Sequence, residues 1–310
     1  MYKKKKGKAA IVSLLITALL FTAACGKTLP EKVPDLRDDT ADYVGKVIAE
    51  TPEAGKNDLA VFNLLKTGSA PEENYGSKYL KSAETFAEGL KAQKNYDYET
   101  LAFAAMAVKE AGGDPRNIKG VNLMDYLGDL RKVKKAGPEA ECYAVIGMKY
   151  CNEERKALYK YDENILKLME PESQWKGMEN EAELRGLSLL AMSYYRTLPE
   201  VTVGIDGTLS RLRELQNEEG GFGSCTADAV VASGLAALSI DPHEFKKNED
   251  SGDLLTSLLS YREKDGFRNT PDGDIDEEAT VKAFTVLNQY KYKVEDQKNF
   301  FVPENSEAAQ

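Results

Sequence analysis

The sequence predicts an all-α chain of six helix pairs stacked into a closed ring, with an inner layer of Ala/Gly-rich helices and an outer layer of amphipathic ones. Three observations carry this expectation. Apolar Ala-rich segments alternate with amphipathic segments along most of the 310 residues. The starts of the apolar segments recur about 40 to 50 residues apart, so each pair must stack on its neighbours to bury its apolar face. Turn signals repeat as well: Gly221-Phe222 is echoed 45 residues later by Gly266-Phe267, and Asp114-Pro115 by Asp241-Pro242.

The chain opens with a basic run, Lys3 to Lys8, an apolar run, Ala9 to Phe21, and small residues before Cys25. This order is that of a targeting leader, which is removed rather than folded. Its apolar run is too short to span a bilayer of about 30 Å as a helix. Thr22-Ala23-Ala24 before Cys25 resembles a bacterial lipoprotein signal, which implies cleavage before Cys25, a diacylglyceryl group on its sulfur, and residence on the extracytoplasmic face of the cell membrane. The expected boundaries are a leader at 1–24, lipidated cysteine and tether at 25–34, a helical domain at 35–293 and a tail at 294–310. The tether reading rests on two prolines and no periodicity in GKTLPEKVP.

The whole chain carries a formal charge of −10. Without the leader it has 36 basic and 51 acidic residues, a net charge of −15. A surface of this sign repels phosphate backbones and anionic headgroups, so nucleic acid is excluded as a partner and membrane attachment is left to the lipid. A monomer is expected. Cys142, Cys151 and Cys225 are an odd set without metal-ligand spacing. They read as small buried residues, with a disulfide permitted but not required.

Outer helices are predicted over about 35–51, 76–93, 121–135, 162–170, 204–216 and 251–264. In the third, Leu123, Leu127, Leu130 and Val133 share one face. Inner helices are predicted over about 57–67, 97–111, 138–151, 179–196, 226–239 and 276–290, apolar nearly all round and therefore buried on every side. Their small residues, such as Ala102, Ala104, Ala105 and Ala107, permit the close approach a narrow inner ring needs. Glu219-Gly220-Gly221 should end the fifth outer helix, with Phe222 under the turn, Thr226 or Asp228 at the next helix start, and Asp241-Pro242 as its stop. Phe300-Phe301-Val302 should pack on the seam that closes the ring.

The stretch GGFGSCTADAVVASGLAALSIDP, with its echo DGF and DEEATVKAFTVL, is similar to the repeats of the prenyltransferase and terpenoid-cyclase-like α/α toroid superfamily. The resemblance covers about 200–290 and continues to residue 35 as periodicity alone. It implies an (α/α)6 toroid with a central cavity. The zinc set of protein prenyltransferases does not transfer: Asp228 stands where the aspartate would, but Val230 occupies the cysteine position, and the lone His243 follows a helix-stopping proline. Asp274-Ile275-Asp276-Glu277 is similar to the acidic motif of squalene cyclases, yet its fourth acid is glutamate and the chain has room for one ring.

Acids gather at the inner-helix starts: Asp58, Asp97, Glu99, Glu139, Glu141, Glu179, Glu181, Glu183, Asp228 and 276–278. In a ring these starts share one mouth. Carboxylates also favour helix amino termini for reasons of backbone electrostatics, so the acids read either as caps or as the rim of a ligand cavity. Tyr96, Tyr98, Tyr143, Tyr194 and Tyr195 lie beside several of them and read as core or as pocket wall. The candidate ligand-binding residues are Tyr98, Glu99, Tyr143, Glu183, Asp228, Asp276 and Glu277. No cofactor or metal is expected, although 272–278 places oxygens at alternate positions as a calcium loop begins. Trp175 reads as a core cover or a lid. The functional expectation is a lipid-anchored binding module for a small molecule, glycan or peptide. The alternatives are a carbohydrate-active enzyme with paired mouth carboxylates and a structural envelope lipoprotein with a filled ring.

Overall fold

The computed structural model of the chain describes residues 29–295 and 299–302. The leader and Cys25 lie outside the described residues, as does 303–310. Among the described residues nearly all regular structure is helical: α1 (Leu29–Tyr43, prolonged by a π-turn, Val44–Ile48), α2 (Asp58–Lys66), α3 (Tyr75–Leu90), α4 (Tyr98–Glu110), α5 (Leu123–Leu127), α6 (Leu130–Ala136), α7 (Pro138–Tyr150), α8 (Lys156–Met169), α9 (Glu181–Met192), α10 (Pro199–Leu215), α11 (Cys225–Ala237), α12 (Leu254–Ser260) and α13 (Glu277–Glu295). A two-stranded hairpin, β1 (Arg262–Glu263) with β2 (Gly266–Phe267), precedes α13.

The two helix types separate by burial. In α4 every residue from Leu101 to Val108 is buried, and α7, α11 and α13 are buried on nearly all sides. In α8 only Ala157, Leu158, Tyr161, Ile165, Leu168 and Met169 turn inward. The core helices α2, α4, α7, α9, α11 and α13 pack in that order, each on the next, and α13 packs back on α2. They run parallel: Cys225 and Ala279 meet at the starts of α11 and α13, while Lys66 meets Glu110 at the ends of α2 and α4. Glycine sets the closest approach. A Cβ on Gly186 of α9 would lie 2.7 Å from Val231 Cα, and one on Gly234 of α11 would lie 2.3 Å from Gly186 O. Neither position accepts a side chain without moving backbone.

Where α13 meets α1 and α2 the contact is polar. Arg37 Nε donates to Asn288 Oδ1 (2.9 Å), Asn288 Nδ2 to Asn63 Oδ1 (2.9 Å), and Asn63 Nδ2 to Thr285 Oγ1 (2.9 Å). Such a buried chain is favourable only when every member is satisfied, so it fixes the register of the two segments as well as holding them.

The carboxyl ends of the core helices enclose residues 299–302. Phe300 and Phe301 are each 1% exposed and pack on Phe62 of α2, with Tyr292 of α13 edge-on to Phe300. Tyr194 Oη, just past α9, donates to Phe301 O (2.9 Å), Lys66 Nζ to Val302 O (3.4 Å), and Asn299 Nδ2 to Ala237 O of α11 (3.1 Å). This segment plugs one end of the helix assembly.

Several local expectations are corrected. Helix begins at Leu29, inside the stretch read as a tether, because Val33, fully buried, starts an inward stripe continued by Thr40, Ala41 and Val44; Pro34 lies in the second turn and gives up one intrahelical hydrogen bond. The third outer helix divides at Gly128-Asp129, where Asp129 caps α6 through Lys132 N (3.2 Å). α8 and α10 begin earlier than their periodicity, α10 with Pro199 in its first turn, where proline is tolerated. α11 is capped by Ser224, whose Oγ accepts from Ala227 N (3.1 Å), rather than by Thr226 or Asp228. Cys142, Cys151 and Cys225 are buried and free. Trp175 is fully buried against Leu168 and Leu184.

Candidate functional site

The amino ends of the core helices surround the opposite end of the assembly from the plug. There the π-turn, the loop 50–57 and the starts of α2, α4 and α13 enclose a cavity of ≈ 780 Å³. Its floor is apolar, from Leu59, Ala60, Phe103 and Val281, and its walls are charged. Glu50, Glu53, Asp58, Asp97, Glu99, Glu277 and Glu278 supply seven carboxyl groups against two ammonium groups, Lys56 and Lys282. Two of the acids serve local structure: Asp97 caps α4 through Glu99 N (3.0 Å) and Thr100 Oγ1 (2.8 Å), and Glu53 pairs with Lys56.

Lys282 organises the rest. Its stem rises from the second turn of α13, and its side chain is 13% exposed. Nζ lies 2.7 Å from Glu278 Oε1, one turn earlier on the same helix, and 3.8 Å from Glu99 Oε1 of α4. Burial works against its charge, but Glu99, Glu278 and Glu183 outweigh burial and hold it ionised. Burial raises Glu99 and Glu183 above the usual carboxylate range, Lys282 opposes both shifts, and Glu139 and Glu278 add to that of Glu183. Tyr143 of α7 hydrogen-bonds Glu99. One cation thus sits among carboxylates from three of the core helices, α4, α9 and α13.

Asp58, at the back of the cavity, is 5% exposed. Burial raises its carboxyl to about 7, against hydrogen bonds from Tyr79 Oη and from Gly55 N at 2.9 and 3.1 Å. It holds the 50–57 loop to α3, so the mouth wall is tied to an outer helix through a group that titrates near neutrality.

Of the seven residues selected from the sequence, Glu99 and Glu277 line the cavity, Tyr143 bonds Glu99, and Glu183 belongs to the field around Lys282. The other three sit elsewhere. Tyr98 is buried and packs edge-on to Tyr96. Asp228 accepts from Ser257 Oγ (2.7 Å) and Phe222 N (2.6 Å), which ties the 220–224 turn to α12. Asp276 caps α13 through Ala279 N (2.8 Å). Tyr194 and Tyr195 lie at the plugged end. Glu181 lies between Arg185 (2.8 Å) and Arg211 (2.9 Å), also accepting from Gly177 N (2.7 Å). Lys282 was not singled out from the sequence. Its signal is the one charged residue in the run 279–290, four residues after Glu278.

Among the described residues, no three His, Cys, Asp or Glu side chains are grouped to hold a metal ion. No helix among them is long and apolar enough to cross a membrane. No protein-family model matches the chain, and no curated protein matches it significantly.

Proposed function

We propose that the protein is a binding module, an (α/α)6 toroid tethered to the extracytoplasmic membrane face by a lipid on Cys25, whose acidic mouth takes a cationic or polyhydroxylated small molecule, glycan or peptide segment. The cyclic order of core-helix packing supports the toroid, as does the likeness of 200–290 to the prenyltransferase and terpenoid-cyclase-like repeats. The observation that carries the binding reading is the ≈ 780 Å³ cavity with its seven carboxyls against two ammoniums. Its volume is that of a small-molecule site, and its charge selects against anions. Lys282 supplies a built-in counter-ion that a ligand cation replaces.

Melting temperature measured against polyamines, amino sugars, basic peptides and neutral oligosaccharides tests this. Salt-sensitive stabilisation by the cationic or polyhydroxylated members is expected. Stabilisation by none of them, or by anions alone, contradicts it. A carbohydrate-active enzyme is the second reading, favoured by two mouth carboxyls, Glu99 and Glu183, held above their usual range as a general acid requires. Glycan turnover lost in Glu183→Gln would move the assignment there.

A further inference from the structure

We propose that the plugged end of the assembly rests on the bilayer, so that the acidic mouth is presented away from the membrane. The proposal rests on the lipid-anchor reading and adds an orientation to it.

The first argument is where the described chain begins. α1 runs antiparallel to the core helices: its π-turn reaches the mouth, where Val47 and Ile48 line the cavity, while Arg37 lies beside Asn288 in the carboxyl half of α13. Leu29 is eight residues before Arg37, about 12 Å further from the mouth. It is therefore level with the carboxyl end of α13. Cys25 is four residues from Leu29 and can extend at most about 14 Å from it. A lipid there enters the bilayer beside the plugged end.

The second argument is independent of the anchor. Tyr159, in the first turn of α8, is 74% exposed, and Leu198 and Val203, at the start of α10, are 43% and 73% exposed. α8 and α10 run side by side in the same direction, with Leu166 facing Gly204 and Met169 facing Gly207. Their amino ends therefore share the plugged end, across the ring order from α1. Tyr195, in the turn before α10, hydrogen-bonds Asp162 and lies in the field of Tyr159, which brings the two helix starts together. Exposed Lys156, Lys160 and Arg196 alternate around this apolar set with exposed Glu154 and Glu200. Apolar side chains in such a mixed-charge border suit contact with a bilayer surface, whereas the seven carboxyls of the mouth are repelled by an anionic one.

Hydrogen exchange tests the orientation, using protein purified from its host membranes and placed on vesicles containing phosphatidylglycerol. The reference is the unlipidated Cys25→Ser protein in vesicle-free buffer. Exchange about fivefold slower or more is expected at 194–203 on vesicles, with 47–57 and 97–100 unchanged. Protection at 47–57 and 97–100 instead, or at neither region, overturns the orientation while leaving the anchor intact. The mass of the host-purified protein separates the two questions: a Cys25 without diacylglyceryl removes the anchor, and the proposed orientation with it.

Discussion

Asn288 Nδ2 donates to Asn63 Oδ1 at 2.9 Å, joining side chains 225 residues apart in sequence. Asn288 also accepts from Arg37, whose side chain is only 7% exposed. Replacing Asn288 with Leu strands both the Asn63 carbonyl and the Arg37 Nε donor. We predict a loss of about 2 to 3 kcal/mol in urea unfolding, the cost of leaving buried polar groups unmatched. Asn63→Ala together with Asn288→Ala should cost less than the sum of the single changes, because the two share a bond.

Asp228 and Asp58 make stability depend on pH near neutrality. Burial raises both carboxyls from 3.8 to about 7, so between those limits the native chain keeps protons that the unfolded chain has released. Their contribution is fully present below about pH 4, falls as pH rises towards 7 and is flat above. Asp228→Asn preserves a carbonyl for Phe222 N and meets Ser257 Oγ with an amide. Melting temperature from pH 4 to 8 should decline less in this variant than in the parent.

Glu181 behaves in the opposite sense. Burial alone would raise it, but hydrogen bonds from Arg211, Gly177 and Arg185 hold it down to about 2. Its stabilisation is complete above 4.5 and is lost as pH falls towards 2. Glu181→Gln should cost about 3 to 5 kcal/mol at pH 7, because Arg185 is fully buried and loses its counter-charge. Denaturant titration at pH 7 and pH 3 should show the penalty shrinking at the lower pH.

The plug carries a packing prediction. Phe301→Ala removes a ring buried between Phe62 and Phe300 and should cost about 3 to 5 kcal/mol by chemical denaturation. Ligand affinity at the mouth, at the far end of the core helices, should be unchanged in the folded fraction.

Lys282 offers a test specific to binding. Lys282→Gln removes the internal cation, so a cationic ligand should bind about tenfold more tightly by calorimetry, equivalent to about 1.4 kcal/mol. Glu99→Gln should weaken it by a similar factor. Equal affinities in all three proteins would separate the cavity from binding.

Helix positions were legible because burial pattern and period agree: the predicted starts of α2, α4, α7 and α11 fall within one residue of those observed. Boundaries failed where a capping residue overrode periodicity, as at Asp129, or where a proline-bearing segment still had an inward stripe, as at Val33. The site was legible in part. Glu99, Glu183 and Glu277 follow from collecting acids at core-helix starts, but identical local chemistry makes Asp276 a cap and Asp228 a turn tie. Only the partners Ala279 N, Ser257 Oγ and Phe222 N distinguish these fates, and the Asp228 partners come from outside its own helix. Lys282 matters through Glu99 and Glu183 of other core helices, a relationship no local pattern records.

A crystal structure of the protein purified from its native host, still carrying what it binds, tests the central claim most directly. The account predicts ligand density in the mouth, with a cationic or hydroxyl-bearing group against Glu99 or Glu277 and Lys282 Nζ displaced towards Glu278. A mouth containing only water, with Lys282 still held between Glu99 and Glu278 and a ligand bound elsewhere on the molecule, would contradict it.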